Sequence, residues 1–203
     1  MKVLLHYGAG PAWRRDVAAL QAQGLDIDCC DELDDARFYS LLPEAEVLWH
    51  ALRPVSADDI ARAPKLRLIQ KIGVGVNTIA LDAAKARNIA VCNMPGSNAQ
   101  AVAEMTLLLM LACLRRLPML DRMIRAGQGW RIDPAMQDNY GELRGRTVCL
   151  VGFGSIPQSL APALRALGAE VIYTATAPKA GHEAAYRTLP DLLRQSDIVS
   201  LHI

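Results

Sequence analysis

The sequence predicts an α/β protein made of two parallel sheets covered by helices. Over roughly the first half of the chain, short apolar runs alternate with amphipathic helical stretches, and the same alternation resumes at Arg146. The chain has 203 residues, of which 52% are hydrophobic and 21% are charged. This composition excludes a disordered chain, and the length is enough for one large domain or two modest ones with cores of their own.

The first layer is predicted from five apolar runs and four helical stretches. The strands are expected at residues 3–7, 25–29, 47–50, 68–72 and 90–92. The helices are expected at residues 12–23, 34–42, 57–63 and 81–87, the third with Ser56 as its N-cap. This alternation predicts a small flavodoxin-like layer, although the pattern does not give the order of the strands.

A long apolar helix is predicted next. Ser97 and Gln100 have the spacing of a capping box, and the helical pattern runs over residues 98–117, ending before Pro118. This helix is apolar on nearly every side, so we expect it to be buried between two domains or at a subunit interface. Residues 127–145 lack periodicity and are rich in turn residues, which predicts a connecting loop.

A second α/β unit is predicted from Arg146 onward. Its strands are expected at residues 147–151, 171–174, 185–187 and 197–202, and its helices at residues 158–167 and 189–195. A doubly wound Rossmann sheet has six strands in two halves, and residues 146–203 provide the first half and one further strand. We therefore expect an incomplete sheet whose last strand is an uncovered edge. The predicted domains are residues 1–96 and 97–203.

A glycine-rich turn joins the first strand of this second unit to its first helix. It consists of Gly152, Phe153, Gly154, Ser155, Ile156 and Pro157. In this context glycines allow a tight turn and a close approach of the pyrophosphate of a dinucleotide to a helix N-terminus. Pro157 takes the place of the third glycine, and a proline in the first helical turn is sterically acceptable. The pattern favours nucleotide binding, with an ordinary glycine turn as the alternative.

The next strand ends without the acidic residue that usually holds the adenosine ribose. The segment reads Thr174, Ala175, Thr176. Because no carboxylate repels a 2′-phosphate and Lys179 is nearby, NADP is at least as well supported as NAD. The alternative for Lys179 is a solvated loop charge.

A second candidate anion site follows Lys71. It consists of Gly73, Val74, Gly75, Val76 and Asn77. Glycines after a strand let consecutive main-chain N–H groups point at an anion such as a carboxylate, and the alternative is an ordinary turn. Asn98 lies at the start of the long helix, where its amide either points into a cleft between the domains or caps the helix. The four histidines share no catalytic spacing, so none is expected to be a general base.

Composition argues against several classes of partner. At the level of the whole chain, the net charge of +1 gives no electrostatic footprint for nucleic acid or an anionic membrane, so partners are sought in local sites. The five cysteines show no paired metal spacing, so no metal site is expected. The N-terminal residues lack the pattern of a signal peptide, and the apolar run of residues 105–114 is too short to span a bilayer. A cytoplasmic protein is therefore expected.

Five motifs occur in a fixed order over most of the chain. They are GVGVNTI at 73–79, NMPGSNAQAVAE at 93–104, GELRGRTV at 141–148, GFG at 152–154 and SDIVSLH at 196–202. Taken together they resemble the D-isomer-specific 2-hydroxyacid dehydrogenases. The resemblance implies a substrate domain, a nicotinamide-nucleotide domain, and the interconversion of a 2-keto acid and a D-2-hydroxy acid with NAD or NADP. It also implies a homodimer formed through the long helix of residues 98–117.

The resemblance further implies a substrate site and a cofactor site. The residues at the substrate, with the first three receiving its carboxylate on their N–H groups, would be Val74, Gly75, Val76 and Asn98. The residues at the cofactor would be Gly152, Phe153, Gly154, Ser155, Ile156 and Pro157 for the pyrophosphate, Thr174, Ala175 and Thr176 for the adenosine ribose, and His202 beside the cofactor.

Three features depart from the family pattern. Pro157 replaces the third glycine, which loosens the packing around the cofactor, and Ala175 stands where an acidic residue often lies. The family's catalytic arginine and its Glu–His pair lie beyond the equivalent of Ile203, so no catalytic residue is expected within the chain. We expect a truncated enzyme that is inactive alone. The alternative is a non-catalytic nucleotide-binding or dimer-interaction module.

Overall fold

The computed structural model describes residues 1–130, 134–138 and 140–203. They form two compact units, Met1–Ser97 and Asn98–Ile203, which are termed the N-terminal unit and the C-terminal unit. Each unit has a parallel sheet and several helices. The predicted α/β class with two parallel sheets is therefore confirmed.

The N-terminal unit contains a five-stranded sheet. Its strands are β1 (Lys2–His6), β2 (Asp26–Cys30), β3 (Val47–His50), β4 (Leu68–Lys71) and β5 (Ala90–Cys92). Its helices are α1 (Pro11–Ala22), α2 (Asp35–Leu41), α3 (Ala57–Ala61) and α4 (Leu81–Ala86), with a 3₁₀ turn at Leu42–Glu44. All neighbouring strands are parallel in the order β2-β1-β3-β4-β5, which is the flavodoxin-like order and confirms the predicted layer.

Two helix starts in this unit follow directly from local side chains. Ser56 caps α3 as predicted, because its Oγ accepts a hydrogen bond from the N–H of Asp59 (3.1 Å). The Asp59 carboxylate in turn accepts one from the Ser56 N–H (2.8 Å), which completes a capping box. Asp34 caps α2 by accepting a hydrogen bond from the N–H of Arg37 (3.0 Å).

Apolar layers lie on the two opposite faces of this sheet. Successive residues of β1 point to opposite faces, so Leu4 packs with Phe38 and Ile69 on one face, whereas Val3 and Leu5 pack on the other. All five side chains are buried. Because both faces are covered, the carboxyl edge of the strands remains as the place where a ligand can approach.

The C-terminal unit contains a four-stranded parallel sheet. Its helices are α5 (Ala99–Leu114), α6 (Leu117–Arg125), α7 (Pro134–Gln137), α8 (Ser155–Ala166) and α9 (Leu189–Gln195). Its strands are β6 (Thr147–Val151), β7 (Glu170–Thr174), β8 (Ala185–Tyr186) and β9 (Ile198–Leu201). The order β8-β7-β6-β9 matches the first four positions of the six-stranded Rossmann order. Within the described residues β9 pairs with β6 alone, as expected of an edge strand.

The capping box predicted at the start of the long helix is wrong. The N-cap of α5 is Asn98, whose side chain makes no capping hydrogen bond. The Ser97 hydroxyl instead donates to the Met94 carbonyl (2.9 Å), and the Gln100 side chain donates to the Glu104 carboxylate (2.8 Å). Both side chains have local partners that compete with the capping arrangement.

The long helix is also shorter than predicted. α5 ends at Leu114, and Arg116 adopts a left-handed backbone conformation with φ +51°. Pro118 then lies in the first turn of α6. The N–H groups of a first turn have no acceptor within the helix, so the N–H that proline lacks costs no helical hydrogen bond there. The second helix, α6, overlaps the predicted helix only at Leu117 and continues beyond it, and the sequence pattern does not predict it.

In the single chain α5 is covered on one side only. The expected burial of its remaining surface, between two domains or at a subunit interface, stays a prediction. Ala103 and Met110 belong to the core of the C-terminal unit, together with residues of α8. Met105, Leu108 and Leu109 are each more than half exposed. The helix therefore has a covered side and an exposed apolar side.

The expected loop of residues 127–145 contains a helical turn, α7, that the pattern does not predict. Residues 131–133 and 139 of this segment lie outside the described residues. Across the described ranges, no helix combines the length and the apolar character needed to cross a membrane.

Gly152 is required by the packing of the C-terminal sheet. Its φ is +93°, and a Cβ at this position would lie 2.2 Å from the main-chain oxygen of His202. We predict that Gly152→Ala lowers the free energy of unfolding by about 1–3 kcal/mol more than Gly145→Ala does. Gly145 has a φ of +73°, and no described residue beyond its chain neighbours has a heavy atom within 4 Å of its Cβ position, so Gly145→Ala isolates the conformational cost. Urea unfolding of both variants measures the difference, and equal costs would contradict the importance of the contact.

Candidate functional site

The glycine turn of the C-terminal unit joins the carboxyl end of β6 to the amino end of α8. Gly154 is the N-cap, so the helix begins at Ser155 rather than at the predicted residue 158. Ser155, Ile156 and Pro157 form its first turn. The turn therefore lies at a helix N-terminus on the carboxyl edge of a parallel sheet, where the helix dipole favours an anion.

Two main-chain donors at this N-terminus are free for a ligand. The N–H groups of Ser155 and Ile156 have no acceptor in the described part of the chain. Pro157 contributes no N–H. The Gln158 side chain donates a hydrogen bond to the Phe153 carbonyl (2.9 Å). This bond satisfies the carbonyl oxygen and reduces its repulsion of an anion at the turn.

Gly154 leaves open space beside these donors. Its φ of −81° is available to any residue, so the backbone conformation does not require glycine. Apart from Gly154 and its two neighbours in the chain, no described residue has a heavy atom within 4 Å of an ideal Cβ at this position. A side chain would project into this space, whereas glycine leaves it to a ligand. Gly152 differs from Gly154, because a side chain at Gly152 would collide with the main-chain oxygen of His202.

Phe153 contributes only its main chain to the turn, because its side chain is buried in the core. Its ring stacks on Tyr173 with 3.9 Å between the ring centroids. The Tyr173 hydroxyl accepts a hydrogen bond from the N–H of Lys179 (2.7 Å). Tyr173 thus connects the glycine turn with the loop after β7, a role that the apolar strand pattern does not indicate.

The segment expected at the adenosine ribose begins next to the glycine turn. Thr174 ends β7, and its carbonyl accepts a hydrogen bond from the N–H of Gly152 (2.9 Å). Thr174 and Ala175 are half-buried, while Thr176 and Lys179 are exposed. Among the described residues the Lys179 ammonium group has no hydrogen bond or ion pair, so its charge is available to solvent or to a ligand.

His202 flanks the turn from β9. Its N–H donates to the Val151 carbonyl (2.7 Å), and its Nε2 lies 3.0 Å from Ser200 Oγ. Burial lowers the pKa of the half-buried His202 ring, which favours its neutral form. The candidate cofactor residues therefore meet at the carboxyl edge of β6, β7 and β9.

The candidate carboxylate site of the N-terminal unit is the loop of residues 74–76, which follows β4. The carbonyl of Gly73, a residue with φ +149°, accepts a hydrogen bond from the N–H of Met94 (2.9 Å). Asn93 Nδ2 donates to the Val74 carbonyl (2.8 Å). The N–H groups of residues 74–76 have no acceptor in the described part of the chain. The loop therefore presents consecutive free donors, an arrangement that suits a carboxylate.

Asn98 belongs to the C-terminal unit, where its side chain is exposed at the start of α5. Its carbonyl accepts a hydrogen bond from the N–H of Val102 (3.0 Å), but its side chain does not cap the helix. The predicted alternative of local side-chain capping is therefore not found.

A polar cluster of two buried residues and one half-buried residue lies next to the loop of residues 74–76, and the sequence pattern does not reveal it. It consists of His50, Lys71 and Thr78 and is termed the Lys71 cluster. Lys71 Nζ lies 3.3 Å from both His50 Nε2 and Thr78 Oγ1, and it donates to the Ala51 carbonyl. His50 Nε2 lies 3.0 Å from Thr78 Oγ1. Because His50 and Lys71 end neighbouring strands in register, only the strand order shows that they meet.

The histidines near this cluster are held neutral. Burial, followed by the charge of Lys71, lowers the pKa of His50 to about 4. His6 lies in register with His50, is fully buried and stacks on Phe38 at 4.0 Å between ring centroids. Its pKa is also lowered, chiefly by burial. The positive charge of the cluster therefore resides on Lys71, whose own pKa burial lowers.

The strand orders and the glycine turn place the protein among the doubly wound α/β proteins with a nucleotide-type turn. The pattern of the family described as D-isomer specific 2-hydroxyacid dehydrogenase, catalytic domain, matches residues 10–199. The chain belongs to this family, which confirms the resemblance carried by the sequence motifs.

Similar proteins are longer than this chain. It is 35% identical over 190 residues to a glyoxylate reductase of Aeropyrum pernix, covering 88% of this chain and 56% of that protein. It is 35% identical over 192 residues to a D-3-phosphoglycerate dehydrogenase of Mycobacterium leprae, covering 92% of this chain and 35% of that protein. The crystal structure of the TT0316 protein of Thermus thermophilus matches with a TM-score of 0.89 and 30% identity, over 100% of this chain and 65% of that one. The chain thus spans less than two thirds of the length of each of these proteins.

The neutral state of His50 predicts a pH-dependent stability. Its pKa is about 4 in the folded chain, against an ordinary value of 6.5 for an unfolded chain, so between these values the unfolded chain binds a proton that the folded chain does not. We predict that this group lowers the free energy of unfolding by about 3 kcal/mol as the pH falls from above 6.5 to 4. An NMR titration of the His50 ring gives its pKa, and urea unfolding gives the slope, which His50→Gln would reduce. A His50 ring that titrates near 6.5 in the folded chain would contradict this prediction.

Proposed function

We propose that this chain provides the dinucleotide site and the carboxylate site of an NAD(P)-dependent oxidoreductase that interconverts a 2-keto acid and a D-2-hydroxy acid. Residues 97–203 would form the NAD(P)-binding domain and residues 1–96 the substrate domain. The observation that carries the proposal is the open N-terminus of α8, where Gly154 leaves space beside two free N–H groups. Membership of the family supports the class of reaction.

The glycine turn fits the pyrophosphate of a dinucleotide. Ser155 and Ile156 would donate their N–H groups to it, and Gly154 provides room that a side chain would fill. Pro157 removes one donor but keeps the helix, so the dipole remains directed at the phosphate. When bound, the nicotinamide nucleotide supplies or accepts the hydride of the reaction.

The adenosine end of the site supports NADP as well as NAD. The segment of residues 174–176 has no carboxylate to repel a 2′-phosphate, and its two threonine hydroxyls can bond to ribose or phosphate oxygens. Lys179 provides a cation in the same loop. His202, neutral and half-buried at the end of β9, would lie beside the cofactor. We propose that the site accepts both nucleotides.

The N-terminal unit would bind the carboxylate that all 2-keto acids share. The free N–H groups of residues 74–76 would hold this carboxylate, and Asn98 would contact the substrate or the nicotinamide. These main-chain donors would bind only the carboxylate, so they would not distinguish one 2-keto acid from another. We assign no residue of this chain to proton transfer, so its own contribution is to bind and orient the reactants.

Gly154→Ala tests the dinucleotide site. The added methyl group would fill the space beside the free donors, and the folded state would change little because the φ of Gly154 is ordinary and the space is empty. We predict an affinity for ADP-ribose and for NADPH that is weaker by about tenfold or more, measured by isothermal titration calorimetry.

Gly10→Ala is the matched control for this variant. Gly10 is the N-cap of α1 and has a φ of −69°. Among the described residues other than its chain neighbours, none has a heavy atom within 4 Å of its Cβ position, but Gly10 lies in the N-terminal unit. The Gly10→Ala variant should bind ADP-ribose and NADPH as the wild-type chain does. Unchanged binding by Gly154→Ala, or an equal loss in Gly10→Ala, would contradict the proposed site.

We further propose a homodimer formed through the region of residues 98–117. Met105, Leu108 and Leu109 form an exposed apolar patch on α5, and such patches mark interaction surfaces. The near-zero net charge offers nothing to nucleic acid or to an anionic membrane surface, so neither is proposed as a partner. A cytoplasmic location is likewise a proposal, and it rests on the sequence pattern alone.

Leu108→Glu tests this dimer. A carboxylate at the centre of the patch would be buried without a partner on association, so we predict that the dissociation constant of the dimer rises by about tenfold or more. Sedimentation equilibrium measures it. Leu193→Glu on α9 is the control, because Leu193 is 51% exposed and Leu108 is 52% exposed. A monomeric wild-type chain, or equal effects of the two substitutions, would contradict the proposal.

A further inference from the structure

We propose that Lys71 is a positioning residue for the loop of residues 74–76 and that its buried ammonium group makes this loop select a negatively charged substrate. The inference rests on the proposed function, because it takes this loop to receive a carboxylate. It assigns the electrostatic part of the recognition to a side chain rather than to the main-chain donors alone.

Lys71 is a buried cation without an acidic partner. The residue is 7% exposed, and no carboxylate oxygen lies within 4.0 Å of its Nζ in the described ranges. Glu32 acts on it from farther away, and the Glu32 carboxylate already accepts hydrogen bonds from the N–H groups of Leu52 (2.8 Å) and Arg53 (3.1 Å). Burying an ammonium group without a counter-ion is costly, so an anion that binds nearby would recover part of that cost.

Neutral acceptors hold the ammonium group in place. The Ala51 carbonyl and Thr78 Oγ1 accept hydrogen bonds from Nζ, and His50 Nε2 lies 3.3 Å from it. His50 adds no charge, since its pKa of about 4 leaves the ring neutral near pH 7. The Lys71 cluster therefore keeps one positive charge that its own members do not cancel.

The cluster contacts both ends of the loop. An ideal Cβ on Gly73 would lie 3.5 Å from Lys71 Cε, so the lysine stem packs against the start of the loop. Thr78, which contacts the ammonium group, follows the loop at its other end. Between these two contacts lie the free N–H groups of residues 74–76. A fixed charge beside free donors favours an anion over a neutral ligand.

Binding of glyoxylate to the 203-residue chain tests the inference. The affinity is measured from the amide chemical shifts of residues 74–76 during NMR titration with sodium glyoxylate. We expect Lys71→Met, which removes the charge but keeps a long side chain, to weaken binding by about tenfold or more. Lys71→Arg keeps the charge and should restore most of the affinity. Lys85→Met is the matched control, since it removes the same charge from an exposed position of the same unit.

The outcomes separate this inference from the proposed function. Wild-type affinity in Lys71→Met, or an equal loss in Lys71→Arg, overturns the role of the charge while the carboxylate site stands. Absence of any shift at residues 74–76 in the wild-type chain overturns the carboxylate site itself. If Lys71→Met does not fold, Thr78→Val decides, because it keeps the charge but removes the hydroxyl that ties it to the loop. We expect about a threefold loss of affinity in that variant, and unchanged affinity overturns the inference.

Discussion

Parallel strand pairing is the constraint on which both units depend. Parallel neighbours need a crossover between them, so the helices cover the faces of a sheet and the loops that follow its strands meet at one edge. In the C-terminal sheet this edge gathers the glycine turn, Thr174 and His202. In the N-terminal sheet it gathers the Lys71 cluster and the loop of residues 74–76. Groups far apart in the sequence become neighbours there because the strands all run the same way.

Local patterns predict the fold well wherever a few adjacent residues encode an element. Apolar runs locate the strands. The N-cap Ser56 bonds to Asp59, which lies only three positions away in the sequence. The errors at the two ends of α5 have physical causes of the same local kind. Ser97 finds a competing acceptor in the Met94 carbonyl. Arg116 adopts a left-handed conformation that its residue type does not favour, so no composition signal marks the break.

The candidate sites divide into a part that the sequence predicts and a part that it does not. Both turns are predicted because their glycines can be recognised in the sequence. The sequence does not show that Gly152 is needed for a close approach to His202, whereas Gly154 leaves open space. The Lys71 cluster depends on the register of β3 and β4, which the sequence pattern does not contain. In the sequence, Tyr173 is likewise only one of several bulky residues in a buried strand. Its hydrogen bond with the N–H of Lys179 is seen only in the structure. Side chains that act through partners distant in sequence require the structure.

The contact of Tyr173 has a consequence for how this protein can diversify. Its hydroxyl accepts a hydrogen bond from the main-chain N–H of Lys179, which every residue except proline can donate. The path of the loop after β7 therefore does not depend on the lysine side chain. The side chains of Thr176 and Lys179 are exposed, and they form no hydrogen bond or ion pair within the part of the chain that the structure describes. Substitutions at these positions are therefore free to accumulate while the loop keeps its course. Under the proposed function, a preference for one nucleotide over the other can evolve, or be engineered, at the surface of the loop without a cost to the fold.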